Sequence, residues 1–166
     1  MTLCHVGLGS NIDRDHMIRS GLLALQREFG ELTCSSVYLA PAQGFTGADF
    51  YNLVAGFDTE LVVKAVAEKL RAIEFEHGRK ADSRKLTSRT LDLDLLLYGD
   101  LICNNQGLTL PRQDIKQYAF VLAPLAEIAP KLTHPVDGIC YADMWANFAK
   151  TGLNLQCLDL RLLKSG

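Results

Sequence analysis

The segment TLDLDLLLY at 90–98 constrains this chain more than any other. Its alternation has a period of two, the period of a β-strand. Leu91, Leu93 and Leu95 therefore take one face, and Asp92 and Asp94 take the other. Same-face neighbours on a strand lie roughly 6.6 Å apart. Asp disfavours strands, and two carboxylates on one face repel each other unless something positive lies between them. A hard cation meets that need: Mg²⁺ held by one or two carboxylates plus substrate phosphates is the usual arrangement. The competing reading is a solvated outer face on an edge strand. The wholly apolar continuation LLLY argues instead for a central strand.

The preceding loop, GRKADSRKLTSR at 78–89, carries five bases and one acid from Arg79 to Arg89. A charge run alone reads as a solvated loop. Next to a carboxylate pair, the cations Arg79, Lys80, Arg84, Lys85 and Arg89 suit phosphoryl transfer, where Arg groups neutralise charge on the transferring group. Eleven residues without a periodic pattern also fit a lid that closes over substrate.

Composition narrows the partners. Seventeen basic and nineteen acidic residues give a net charge of -2, so a general nucleic-acid or anionic-membrane binder is excluded and any basic site is local. The five cysteines are scattered and form no C-x-x-C pair, which speaks against structural zinc and a disulfide framework. No run of about 20 apolar residues exists, and the N-terminus lacks the basic and apolar regions of a signal peptide. The expectation is a cytoplasmic monomer with reduced thiols, a single domain over residues 1–166.

Hydrophobic periodicity predicts a strand over 2–8 ending in a Gly-rich turn, a helix over 14–29 stopped by Gly30, and strands over 31–39 and 50–59. A second helix follows, capped by Thr59 and running through His77, with Val62, Val66, Leu70 and Ile73 on its apolar stripe. After the strand at 90–98, Pro111 opens an irregular region leading to a helix around 119–128. A helix near 141–150 and a strand within 153–163 complete the chain. The order is βαββαβ, the ferredoxin-like α+β pattern: an antiparallel sheet with helices packed on one face, plus a C-terminal extension.

Gly7-x-Gly9-x-x-Ile12 fails as a dinucleotide fingerprint at its third position and reads as a tight turn. No P-loop occurs, so a nucleotide phosphate has to be held in another way. Phe50, Tyr51 and Asn52 place aromatics beside an amide, a combination that stacks on and hydrogen-bonds a flat heterocycle. Phe50 and Phe120 also read as core. The histidines show no ligand spacing, and no Ser-His-Asp or RNP-like aromatic pattern is present.

GSN at 9–11, SSVYLAP at 35–41, DFYN at 49–52, IEFEHGR at 73–79, SRTLDLDLLLYG at 88–99, PRQD at 111–114 and LAPLAEIAP at 122–130 fall in one order. Taken together they resemble the 6-hydroxymethyl-7,8-dihydropterin pyrophosphokinases of folate biosynthesis. The resemblance implies transfer of pyrophosphate from ATP to the pterin hydroxymethyl group, leaving AMP. It implies that Asp92 and Asp94 hold two Mg²⁺ ions, that Phe50 and Phe120 sandwich the pterin, and that Asn52 bonds the ring edge with backbone help from Ala40, Ala42 and Gln43. Arg71, Glu74, Arg89 and Thr109 fall on the ATP side, and Arg79 belongs to the loop that assembles the site. ATP and the pterin are the partners, with no nucleic acid and no membrane.

The chain departs from that family at Ala81, Leu86, Ser88, Arg112 and Tyr118, where the family tends to carry Arg, Trp, Pro, His and Arg. Lys80, Arg84 and Arg112 are candidate replacements on the ATP side, with Tyr118 beside them. The alternative that these departures motivate is a pterin- or nucleotide-binding relative with altered or absent turnover.

Overall fold

The computed structural model describes residues 1–78, 90–105 and 107–158. In chain order the elements are β1 (Thr2–Ser10), α1 (Arg14–Phe29), β2 (Thr33–Cys34), β3 (Val37–Ala40), β4 (Phe50–Thr59), α2 (Val63–Glu76) and β5 (Asp92–Tyr98). The hairpin β6 (Cys103–Asn105) and β7 (Leu108–Leu110) follows. Then come α3 (Asp114–Gln117), α4 (Ala119–Ile128), α5 (Tyr141–Ala146) and β8 (Gln156–Leu158). The main sheet runs β5-β1-β4-β3-β8, with β2 also paired to β4. The pairings along β5, β1, β4 and β3 are antiparallel, as the ferredoxin-like order requires. Among the described residues no helix is long and apolar enough to cross a membrane.

Two apolar layers sandwich this sheet. Val6, Leu8, Leu22, Leu25, Leu70 and Ile73 pack beneath α1 and α2 on one face. Val54, Leu96, Ile115, Leu122, Leu125 and Tyr141 pack beneath α4 and α5 on the other. Each fully buried Leu contributes about 1.5–3 kcal/mol. Helices thus cover both faces, because the C-terminal extension supplies the second layer. Burial pushes the Cys4 thiol up to about 12 and the Cys34 thiol up to about 11, so both fill space as neutral thiols.

Several local expectations are corrected. The strand expected over 31–39 is interrupted at Ser35. Its hydroxyl accepts the Val54 N–H at 3.0 Å, and its own N–H donates to the Val54 carbonyl at 2.9 Å. Thr59 ends β4 instead of capping α2. Its Oγ1 accepts the Leu61 N–H at 3.1 Å, holding a turn before the helix starts at Val63. The helix expected to reach residue 150 stops at Ala146, where the Lys150 ammonium takes the Trp145 carbonyl and lies 4.4 Å over its ring.

Among the described residues β5 is an edge strand, not a central one. Its LLLY run is apolar because both of its faces are covered. Leu93 and Leu95 join the first layer, while Leu96 and Leu97 join the second after a register shift opposite His5 and Val6.

Glu127 fastens α4 to the other side of the sheet. Its carboxylate accepts the Ser36 N–H at 2.8 Å, the Ser36 hydroxyl at 3.1 Å and the Tyr38 hydroxyl at 2.7 Å. Burial and that carboxylate push Tyr38 up, which keeps it a donor.

His5 on β1 is 4% exposed, and its Nδ1 meets no hydrogen-bond partner among the described residues. Burial pushes its pKa down to about 4, against the pull of Asp58. An unfolded His titrates near 6.5, so stability is full above that pH and is lost as pH falls from there toward 4, while the unfolded chain takes up the proton. The expected loss is about 3 kcal/mol across that window. Thermal melts at pH 7 and 4.5 check it: the stability difference between wild type and His5→Leu should shift in favour of the variant on acidification.

Candidate active site

The register of three strands builds the floor of a cavity. Gly9 lies opposite Asp92 on one side and Asn52 on the other, and Gly7 lies opposite Asp94 and Val54. Directly paired residues point to the same face. With strands about 4.8 Å apart, the sheet presents acid, bare backbone and amide in a row. The two glycines, expected in a turn, are inside β1. Cys4, Val6 and Leu8 fill the first layer from its other face, so the glycines open a trough without weakening the core.

Above this floor lies a cavity of about 880 Å³. Gln43, Phe45, Phe50, Asn52, Tyr118 and Phe120 line it from the β3–β4 connection, β4 and the start of α4. Asp92, Asp94, Arg112 and Asp114 line it from β5 and the segment after β7. Lys64, Glu68, Arg71 and Glu74 of α2 and Leu101, Cys103 and Leu108 of the hairpin region complete it. The volume is at the upper end for a small-molecule site and suits two reactants.

The aromatic side is flat and supported. Phe50 meets Phe45 edge-on at 6.3 Å, and Phe120 stacks on Tyr118 at 4.9 Å with 20° between the planes. Asn52 is 7% exposed and its Nδ2 reaches the carbonyls of Phe50 and Tyr38 at 3.4 and 3.5 Å. These are long bonds for an amide, so the group retains donor capacity. Two contacts hold the loop before β4 in place: Asn11 Nδ2 donates to the Ala48 carbonyl at 3.0 Å, and Arg14 donates to the Asp49 carbonyl at 2.8 Å. The Arg14 guanidinium also lies 4.3 Å over the Tyr51 ring.

The acidic side concentrates charge. Burial pushes the Asp94 carboxyl well above the usual carboxylate range, and Asp92, Asp114 and Glu74 add to that against the pull of Arg112. Arg112 Nη2 lies 3.5 Å from Asp94 Oδ1, and its Nε lies 3.4 Å from Asp114 Oδ2. Burial works against the guanidinium charge, but those carboxylates outweigh it and hold Arg112 above its ordinary pKa. Glu74 is 4% exposed and accepts the Leu93 N–H at 2.9 Å. It closes the open edge of β5 between the two acids.

Among the described residues no cluster of three His, Cys, Asp or Glu side chains is arranged to hold an ion by itself. The donor set is a pair of half-buried carboxylates facing a cavity, which fits a hard cation whose remaining ligands come from water and phosphate oxygens.

Of the residues singled out in the sequence, Gln43, Phe50, Asn52, Arg71, Glu74, Asp92, Asp94, Arg112, Tyr118 and Phe120 all line this one cavity. Ala40, Ala42 and Thr109 do not line it. Ala40 is the buried register partner of Phe50, and the Thr109 hydroxyl donates to Asn104 Oδ1 at 3.1 Å. Tyr118 lines the cavity as the stacking neighbour of Phe120. Arg79, Lys80, Ala81, Arg84, Lys85, Leu86, Ser88 and Arg89 lie outside the described residues. Phe45, Asn11, Lys64, Glu68 and Asp114 are contributions that sequence reasoning missed.

A sequence model of the 7,8-dihydro-6-hydroxymethylpterin-pyrophosphokinase (HPPK) family matches residues 5–130. The chain belongs to the HPPK family. The Haemophilus influenzae 2-amino-4-hydroxy-6-hydroxymethyldihydropteridine pyrophosphokinase is 37% identical over 139 residues, covering 81% of this chain and 86% of that one. Its Aquifex aeolicus counterpart is 34% identical over 82% of this chain and 86% of that one. Solved structures agree on the HPPK fold. An HPPK-DHPS crystal structure in complex with substrates superposes with a TM-score of 0.73 at 10% identity, over 91% of this chain and 44% of that longer one. The Plasmodium falciparum HPPK-DHPS A437G structure gives 0.73 at 11% identity, over 89% of this chain and 45% of that one. The chain thus spans less than half the length of those two HPPK-DHPS chains.

Proposed function

We infer that this chain transfers pyrophosphate from ATP to 6-hydroxymethyl-7,8-dihydropterin in folate biosynthesis. The pterin hydroxyl oxygen bonds to the β-phosphorus, the bond from that phosphorus to the α–β bridging oxygen breaks, AMP leaves and the hydroxyl proton is released. The observation that carries the reading is the row Asp92–Gly9–Asn52 across three strands, with paired carboxylates at one end and, at the other, an amide that shares the cavity with the rings of Phe50 and Phe120.

In this reading Phe50 and Phe120 receive the faces of the pterin ring and Asn52 its hydrogen-bonding edge. Gln43 and the backbone at Ala40 and Ala42 flank that edge. Asp92 and Asp94 would hold two Mg²⁺ ions, which supply charge neutralisation and alignment of the triphosphate when bound. Arg71 and Arg112 line the route of the triphosphate, and the bases Arg79, Arg84 and Arg89 serve it from their own segment. Tyr118 backs the pterin side and Thr109 the hairpin on the ATP side. The unit acts as a monomer in the cytoplasm.

The test is a mass-spectrometric assay with ATP, the pterin and Mg²⁺. AMP should form in step with the pterin diphosphate; pterin binding without AMP would establish a non-catalytic relative instead. Gly9→Ala probes the trough. A Cβ there meets Asn52 Oδ1 at 3.3 Å and the Phe50 ring at 3.7 Å. The expected result is a KM for the pterin raised about tenfold, the KM for ATP and the melting temperature being little changed.

A further inference from the structure

We propose that Arg112 guards the acidic pair: its guanidinium, paired with Asp94, occupies the side of that carboxylate that a divalent cation needs, so metal loading is coupled to arrival of the triphosphate. The proposal rests on the metal reading above and deepens it.

Arg112 is placed by its backbone, whose N–H donates to the Leu96 carbonyl at 3.0 Å, two residues beyond Asp94 on the same strand. From there its guanidinium spans Asp94 and Asp114 at 3.5 and 3.4 Å. Both contacts are loose for charge-assisted pairs, and the buried Nε meets no well-formed hydrogen bond among the described residues. The group is held by charge in the cavity wall without being locked by geometry, and its side chain remains 32% exposed.

A guanidinium and a divalent cation cannot both neutralise one carboxylate oxygen without repelling each other. Near 5 Å in water-like surroundings, a single charge facing a double one weakens binding about tenfold. A triphosphate offers Arg112 a planar, bidentate partner and brings the metal its remaining oxygen ligands. Drawing the guanidinium off Asp94 therefore favours metal, and bound metal favours nucleotide by the same factor.

The probe is Mn²⁺, followed by electron paramagnetic resonance on the full chain, without nucleotide and with a non-hydrolysable ATP analogue. Without nucleotide, Arg112→Gln should bind Mn²⁺ about tenfold tighter than wild type, while Arg112→Lys stays within about twofold. The extra Mn²⁺ affinity conferred by the analogue should shrink in the Gln variant by the same factor. Thermal melts confirm folding; should Gln not fold, Arg112→Met, neutral at every pH and a poor ligand for a hard cation, gives the same comparison. If the neutral variant binds Mn²⁺ no tighter than wild type, Arg112 is a structural ion pair and the proposal fails, leaving the pyrophosphokinase reading intact. If no form binds Mn²⁺ even with the analogue, the proposal and the metal reading fall together.

Discussion

Asp94→Asn is expected to lower pyrophosphate transfer about a thousandfold while raising the melting temperature. The two effects have one cause. The Asp94 carboxyl sits where burial, Asp92, Asp114 and Glu74 all oppose its charge, and the single guanidinium of Arg112 does not compensate for them. A group held well above its ordinary pKa is a net liability to the folded state, so a neutral isostere removes that liability. The side chain is 29% exposed and faces the cavity, so the core is not disturbed. Steady-state kinetics and calorimetry in a chelator read the two halves separately. Full activity in the variant would remove the carboxylate pair from the chemistry. A lower melting temperature would show that the Arg112 pairing outweighs the repulsion.

The parts of this architecture legible in the sequence are those written in a single period. Ile18, Leu22 and Leu25 announce α1, and Val66, Leu70 and Ile73 announce α2. The alternation at 91–95 puts both aspartates on one face, where the structure has them. What stayed hidden depends on several segments at once. The meaning of Gly7 and Gly9 exists only when β5, β1 and β4 are laid in register. An apolar run does not distinguish a strand with neighbours on both sides from an edge strand covered above and below. The β6–β7 hairpin is three residues per strand around Gly107 at φ +79°, too short for periodicity to register. Asp114 opens the four-residue α3 and Phe45 lies in the β3–β4 connection, both too short of periodic signal to stand out, and only tertiary packing delivers them to the cavity.

Glu74→Ala is expected to destabilise the protein by about 2–3 kcal/mol and to lower kcat about a hundredfold. Glu74 enters the sequence reading only through the family resemblance, on the ATP side; in the structure it is 4% exposed, with the apolar neighbours Leu70 and Ile73 at its side. Its carboxylate accepts the N–H of Leu93, the residue between Asp92 and Asp94, on the edge of β5 that no strand covers among the described residues. Removing the acceptor leaves a buried donor without a partner and lets the strand edge fray at the point that sets the spacing of both acids. A shift of about 1 Å there is enough for the rate loss. Glu74→Gln separates position from charge, since its amide oxygen still accepts that N–H. The Gln variant should keep stability within about 1 kcal/mol of wild type and retain most of kcat. Amide hydrogen exchange gives the direct readout: Leu93 should lose protection in the Ala variant and keep it in the Gln variant. Equal damage in both would mean that the charge of Glu74 matters and its hold on β5 does not.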